Sequence, residues 1–296
     1  MLDWFDSNEA LIQSALALSI LGFSVQLALR AGVFSLAGVG FWAIGGYSVA
    51  NLVGDGWSTP LAIAVTVGAT LLPALGLALI LRRLRALYLA MATFAFVLIV
   101  QIVALNWDSV TGGPVGLFAI PVTVSTLGLL LVVIACAIGL FFWERGRHGR
   151  VMESLREDEQ LAASLGVDVP RERVKVFVVS AGLGTLSGSL NALMFNTLTA
   201  DQAGFGLITT VLMVIVLGGT RAWWGPLVGA FIVTWLPEVL RFAEDYREVI
   251  QGAIVLLVVV YAPGGVVGAV RALRRLVRQP PRRLLAFNSG VKEAAE

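Results

Sequence analysis

The chain has 296 residues, of which 58% are hydrophobic and 14% charged, against roughly 45–50% and about 25% in soluble globular proteins. This composition excludes a pair of soluble domains and indicates a membrane protein, because uncharged stretches repeatedly reach the roughly 20 residues that cross a bilayer. The net charge of +2 does not indicate nucleic-acid binding, since the Arg residues form short clusters beside apolar stretches, as cytoplasmic anchors do.

Six apolar stretches are long enough to cross a bilayer: Ala10–Leu29, Gly56–Leu81, Ala86–Trp107, Ser109–Trp143, Val176–Ala200 and Val249–Val270. Two more are interrupted, since residues 31–54 are rich in glycine and residues 202–237 are split at Gly218, Gly219 and Arg221. Glycine in membrane helices favours close packing, and a discontinuous or re-entrant helix is the alternative. We therefore predict an all-α polytopic membrane protein with about eight transmembrane helices.

The charges between these stretches alternate in sign along the chain. Placing the basic breaks in the cytoplasm puts 19 of the 21 Lys and Arg residues there, as the positive-inside rule requires. This arrangement predicts a multi-pass plasma-membrane (bacterial inner-membrane) protein with its N-terminus outside and its C-terminus in the cytoplasm. Residues 1–270 would form the transmembrane domain, and residues 271–296 a basic cytoplasmic tail.

The sequence lacks the signatures of an enzyme or a nucleotide-driven motor. Neither Lys175 nor Lys292 stands in a phosphate-binding Walker motif, and one His with one Cys cannot form a zinc site. The predicted spans contain no Asp, Glu, Lys or Arg, which argues against proton coupling. We expect no catalytic residues, no metal site and no cofactor bound by this chain.

Residues 144–175 form the one strongly charged segment, with fourteen charged residues against nine in the preceding 143. Within it, Val151–Leu165 has the apolar spacing of an amphipathic helix, and Gly166 is placed to end it. Residues 153–159 carry four acids and one Arg, whereas a helix lying on anionic lipid is basic. The pattern favours docking into a groove on a protein partner, with a solvated linker or an interfacial helix as the alternatives.

The segment GRHGRVMESLREDEQLAASLGVDVPRERVKVFVVSA resembles the cytoplasmic loop of the permeases of branched-chain amino acid ABC importers. Three further motifs resemble the same family in the same order: FSLAGVGFWAIGGYSVA, RALYLAMATFAF with LNWDSVTGGPVGL, and VIVLGGTRAWWGPLVGA. The resemblance covers residues 21–265 and is closer to the M-type than to the H-type member of the permease pair. Ala37 stands where many relatives have His, and the loop lacks the E-A-A-x-x-x-G spacing of other ABC permeases.

The resemblance implies a permease subunit that pairs with a second, homologous permease in the lipid bilayer. Cytoplasmic ATPases would use ATP, and an extracytoplasmic binding protein would deliver a branched-chain or related amino acid. It also implies that the ATPase docks on a coupling helix whose residues are Glu153, Arg156, Glu157, Asp158, Glu159 and Gly166. Urea and short-chain amide importers share this architecture, so their solutes are the alternative substrates.

Polar residues and glycines on the glycine-rich stretches are the candidates for the translocation pathway: Ser35, Ser48, Thr111, Gly112, Gly113, Asn191, Asn196 and Thr197. Interhelical hydrogen bonding or close packing is the alternative for each, and Gly112–Gly113 could form a tight turn. Two other functions remain open from the sequence: a stand-alone carrier or channel for a small polar solute, and a membrane anchoring protein without transport activity.

Overall fold

A computed structural model describes residues 2–84, 86–121, 123–220, 222–241, 246–261 and 264–268. The elements in chain order are α1 (Leu2–Arg30), α2 (Ala37–Gly54), α3 (Thr59–Leu81), α4 (Ala86–Asn106), α5 (Asp108–Thr111), β1 (Leu117–Phe118), α6 (Thr126–Arg145), α7 (Arg147–Glu157), α8 (Glu159–Ser164), α9 (Val169–Phe195), β2 (Thr197–Leu198), a 3-10 helix (Ala200–Ala203), α10 (Phe205–Gly218), α11 (Gly225–Val239) and α12 (Arg247–Tyr261). Arg85, Arg221 and the predicted tail 271–296 lie outside the described residues.

The helix bundle has two ends, which we call the loop end, where the charged loop lies, and the far end opposite it. At the loop end, α1 finishes and α7 lies close by, since a Cβ on Gly32 would be 3.3 Å from the Leu155 carbonyl oxygen. At the opposite, far end, the Asn51 amide at the end of α2 donates to the Val110 carbonyl at 2.9 Å. Among the described residues, six helical stretches are long and apolar enough to cross a membrane; they lie in α1, α3, α4, α6, α9 and from α12 onward, and α10 and α11 are shorter apolar helices. The predicted all-α polytopic membrane fold is confirmed.

The helices form an inner and an outer group. In the most apolar 18 residues of α1 and of α9, 67% of the residues are buried. In the corresponding parts of α3, α4 and α6, the buried fractions are 22%, 28% and 17%. The inner group is completed by α2, which packs on α9, and by the α10–α11 pair, which packs on α1. Exposed apolar side chains on the outer helices, such as Leu72, Ile80 and Leu87, present the surface expected toward lipid.

Glycine brings the backbones of α2 and α9 into direct contact. A Cβ on Gly184 would clash with the carbonyl of Gly38, one on Gly188 with the carbonyl of Trp42, and one on Gly45 with the backbone of Thr185. Small residues permit this approach in membrane helices, where apolar lipid removes the hydrophobic drive for association. The prediction of close packing for residues 31–54 is therefore confirmed at this crossing.

The predicted break in residues 202–237 is also confirmed. The chain forms two short antiparallel helices, α10 and α11, each about 21–23 Å long at 1.5 Å per residue, joined at Gly219 with φ +91°. Their turn lies near the loop end, because Gln26 donates to the Ala222 carbonyl at 2.7 Å and the Trp223 ring is 5.5 Å from Phe141.

Only the second part of the apolar stretch Ser109–Trp143 forms a membrane-length helix, α6. After α5 the chain turns through three glycines with positive φ, Gly112, Gly113 and Gly116, which are conformations that favour glycine. It then forms β1, which pairs antiparallel with β2, and α6 begins only at Thr126, where Ser125 accepts a hydrogen bond from the Gly128 N–H. The stretch carries no charge after Asp108, so hydropathy alone did not reveal the glycine turn and the short strand between α5 and α6.

Candidate functional site

The charged loop contains two helices where the sequence predicts one. The single helix over Val151–Leu165 is wrong, because the backbone at Asp158 is extended, with φ −154° and ψ 111°. The Asp158 carboxylate accepts hydrogen bonds from the N–H groups of Gln160 at 2.8 Å and Leu161 at 3.0 Å. Asp158 thus ends α7 and caps α8, as an acidic side chain at a helix N-terminus commonly does.

Both loop helices are fixed to the membrane helices by apolar contacts. Met152 of α7 joins the main core with Ala28 of α1 and Ala31 in the turn after it, and Leu155 packs with Ala162 of α8 and Val169 of α9. All six are buried. The loop is therefore a packed part of the bundle rather than a solvated linker.

Two ion pairs hold the ends of this loop. Arg30 at the end of α1 pairs with Glu144 at the end of α6. Arg173 of α9 donates to Glu159 of α8 at 2.8 Å, and their side chains are only 16% and 29% exposed. Partly buried pairs of this kind are screened less by salt than surface pairs. Glu159 therefore joins α8 to α9, which is a structural contact that the sequence did not predict.

Four exposed polar residues of α7 and α8 form a surface that we call the acidic face and define as Glu153, Arg156, Glu157 and Gln160. Asp158 lies beside it, where its carboxylate caps α8. Among the described residues, neither Glu153 nor Glu157 has an ion-pair partner. Beside this face, Leu161 is 58% and Leu165 is 74% exposed, and Gly166 follows in an exposed turn with φ +85°. Acidic side chains next to exposed leucines can dock in a partner's groove that is apolar at its centre and basic at its edge.

Because Asp158 caps α8, the effect of replacing it should depend on how well the new side chain caps the helix rather than on its charge. We expect Asp158→Ala to cost about 1 kcal/mol of local helix stability and to slow transport several-fold, with faster hydrogen exchange over residues 159–164. Asp158→Asn should behave as the native protein, since Asn caps as well as Asp. An Asn variant as impaired as the Ala variant would show instead that the negative charge itself is required.

The candidate pathway residues do not lie at one site. Five of them meet at the far end: Thr111, Gly112, Gly113, Asn196 and Thr197. Thr111 donates to the carbonyls of Ala104 at 2.6 Å and Trp107 at 2.8 Å, bonds that hold the T-G-G turn. This geometry favours the tight-turn interpretation of Gly112–Gly113 over a ligand role.

The other three candidates are distributed along the inner helices. Ser35 is buried before α2, where its hydroxyl accepts from the Ala37 N–H at 3.3 Å, and Ser48 is half-buried on α2. Asn191 of α9 lines an open cleft of about 450 Å³ that also contains Trp42, Asp201, Gln202 and Leu207. Sequence reasoning used Asp201 only as a charge between spans and missed the other three, because nothing in their spacing places them together.

Serine hydroxyls link the inner helices to one another. Ser24 of α1 donates to the Ser180 carbonyl at 2.7 Å, Ser187 of α9 to the Ala17 carbonyl at 2.8 Å, and Ser189 to the Gly45 carbonyl at 3.2 Å. These bonds support the interpretation of polar residues in the spans as interhelical contacts. Within the described part of the chain, no three His, Cys, Asp or Glu side chains are grouped so that they could hold a metal ion.

Comparison with known proteins supports one family. No solved structure matches the chain. The model of the family described as branched-chain amino acid transport system, permease component, matches residues 8–259. The high-affinity branched-chain amino acid transport system permease proteins LivM of Salmonella typhimurium and of Escherichia coli are each 29% identical over 86% of this chain and 68% of their own length. The corresponding LivH protein of Escherichia coli is 25% identical over 51% of this chain and 50% of its own. The chain therefore belongs to the family of permease components of branched-chain amino acid transport systems.

Proposed function

We propose that this permease subunit of an ABC importer forms, with a second permease, the pathway for branched-chain amino acids, and that its ATPase docks on the acidic face. The chain is a transport subunit rather than an enzyme, and it crosses the inner membrane several times. In the proposed arrangement the loop end lies in the cytoplasm and the far end outside. ATP is then used by the partner ATPases, and a separate binding protein delivers the solute.

One observation carries the docking proposal: the loop is exposed on its acidic face and packed on its opposite side. Met152 and Leu155 fix α7 to α1 and α9, and the Glu159–Arg173 pair fixes α8 to α9. A push on α7 and α8 is therefore transmitted to the innermost helices as a rigid-body movement, which alternating access requires.

The proposed orientation rests on the positions of the charges. Arg30 and the charged loop stand at one end, and Asp55, Asp108 and Asp201 at the other. Basic residues are retained on the cytoplasmic side of membrane proteins, so the loop end is assigned to the cytoplasm. This assignment also places the docking surface where ATP is available.

The proposed substrate rests on the relatives, since LivM and LivH are both named for branched-chain amino acids. Urea and short-chain amides are the alternatives, because permeases for these solutes resemble the same family. A stand-alone carrier would transport its solute without an ATPase.

Reconstitution tests the function directly. Proteoliposomes containing this chain, its permease partner, its ATPases and its binding protein should accumulate L-leucine, L-isoleucine or L-valine in an ATP-dependent manner. Omitting either the ATPases or the binding protein should abolish uptake. Uptake by this chain alone would support a carrier or channel instead, and ATP-dependent uptake of urea in place of leucine would reassign the substrate.

A further inference from the structure

The open cleft near the far end combines one carboxylate, two amides and an apolar wall. It lies between α1, α2, α9, the 3-10 helix and α10, and has a volume of about 450 Å³. Asp201, Asn191 and Gln202 supply its charged and amide groups, and Trp42, Phe195 and Leu207 supply apolar surface. A volume of this size lies in the range typical of small-molecule sites.

The charged and amide groups of this cleft are available to a ligand. Among the described residues, the side chains of Asn191, Asp201 and Gln202 have no hydrogen-bond or ion-pair partner, which distinguishes them from Thr111 and from the serines between the helices. The Asn191 side chain is half-buried, whereas Asp201 and Gln202 are exposed at the cleft rim. A half-buried amide without a protein partner gains more from a ligand hydrogen bond than an exposed amide does.

The balance of charge selects the class of ligand. Among the described residues, the lining contains one acid and no Lys, Arg or His, so a ligand with a single positive group is favoured near Asp201. The amide N–H groups of Asn191 and Gln202 can donate to a carboxylate, and Trp42, Phe195 and Leu207 can contact an aliphatic side chain. An α-amino acid zwitterion with an apolar side chain carries these three features in one small molecule.

We propose that this cleft is a subsite for the zwitterionic amino acid, in which Asp201 pairs with the α-ammonium group and Asn191 donates to the α-carboxylate. The inference rests on the proposed function and deepens it by naming the recognition groups. Urea and short-chain amides have no ammonium group, so the role of Asp201 also separates the two substrate classes.

Protection of an introduced thiol tests the cleft without relying on transport. In the assembled importer, with Cys136→Ala removing the single native cysteine, Ser14→Cys on the α1 wall of the cleft is labelled by a positively charged methanethiosulfonate reagent. Millimolar L-leucine should slow this labelling at least twofold. Leucine should leave the labelling of Asp55→Cys unchanged, since Asp55 is exposed at the same end of the bundle but outside the cleft.

Ligand analogues and one isosteric variant identify the contacts. Neither 4-methylpentanoate, which lacks the ammonium group, nor 3-methylbutylamine, which lacks the carboxylate, should protect as well as leucine. Adding Asp201→Asn should remove the protection by leucine and lower the rate of leucine uptake at least tenfold, whereas Asp55→Asn should preserve both. Unchanged protection in the Asp201→Asn background would overturn the assignment of that residue.

The two proposals fail in different ways. An importer that accumulates leucine while leucine gives no protection at Ser14→Cys rejects the cleft and leaves the proposed function standing. An importer that carries none of leucine, isoleucine and valine rejects the proposed function, whatever the labelling shows.

Discussion

Replacing Gly188 with alanine is expected to disrupt the packing of α2 on α9 and to remove most of the folded permease from detergent extracts. The added Cβ would clash with the carbonyl group of Trp42, which belongs to the backbone and cannot rotate away as a side chain could. Overpacking commonly costs about 1–3 kcal/mol, and we expect the upper part of this range because both helices must separate. The midpoint of thermal aggregation, followed by size-exclusion chromatography, measures the loss.

Gly182→Ala on the same helix is the matched control. A Cβ at Gly182 would lie 3.5 Å from a methyl group of Leu71, which is an ordinary contact. Both substitutions remove a helix-interior glycine, a change that by itself favours the helix by about 1 kcal/mol, so only the neighbouring backbone differs. Equal thermal midpoints for the two variants would contradict the proposed crossing.

The helical passes could be predicted from the sequence wherever charges or glycines mark their ends. Hydropathy located α3 and α4 to within a few residues and the start of α12 to within two, and the paired Gly218 and Gly219 identified the break between α10 and α11. The pairing of α2 with α9 could not be predicted, because the sequence shows that both helices contain small residues but not which backbones meet. That choice depends on the tertiary packing of Gly184 and Gly188 against α2.

The candidate site was only partly accessible from the sequence. The charge pattern identified the docking segment, but it did not reveal that Asp158 is the N-cap of a second helix. The pairing of Glu159 with Arg173 joins residues that are fourteen positions apart in two different helices. The far-end cleft gathers side chains from five elements, so no local spacing could reveal it.

Reversing the two unpaired acids of the acidic face is expected to separate the permease from its ATPase. Glu153→Lys with Glu157→Lys places two positive charges opposite a surface that, in the proposed complex, is itself basic. Like-charge contacts cost several kcal/mol at protein interfaces, so we expect about a 100-fold or greater loss of ATPase affinity. Leucine uptake should fall to background. Co-purification of the ATPases with tagged permease and uptake into proteoliposomes measure the two losses.

Both positions are exposed and neither contributes a partner to the fold among the described residues, so membrane insertion and thermal stability should remain native. The double variant Glu153→Asp with Glu157→Asp keeps both charges and should retain binding and uptake, which separates the effect of charge from that of substitution. Charge-reversing changes of basic residues on the ATPase groove should restore binding to the Lys variant. Normal co-purification of the ATPases with the Lys variant would show that the acidic face is not the docking surface. In that case the exposed Leu161 and Leu165 beside it would be the residues that contact the ATPase.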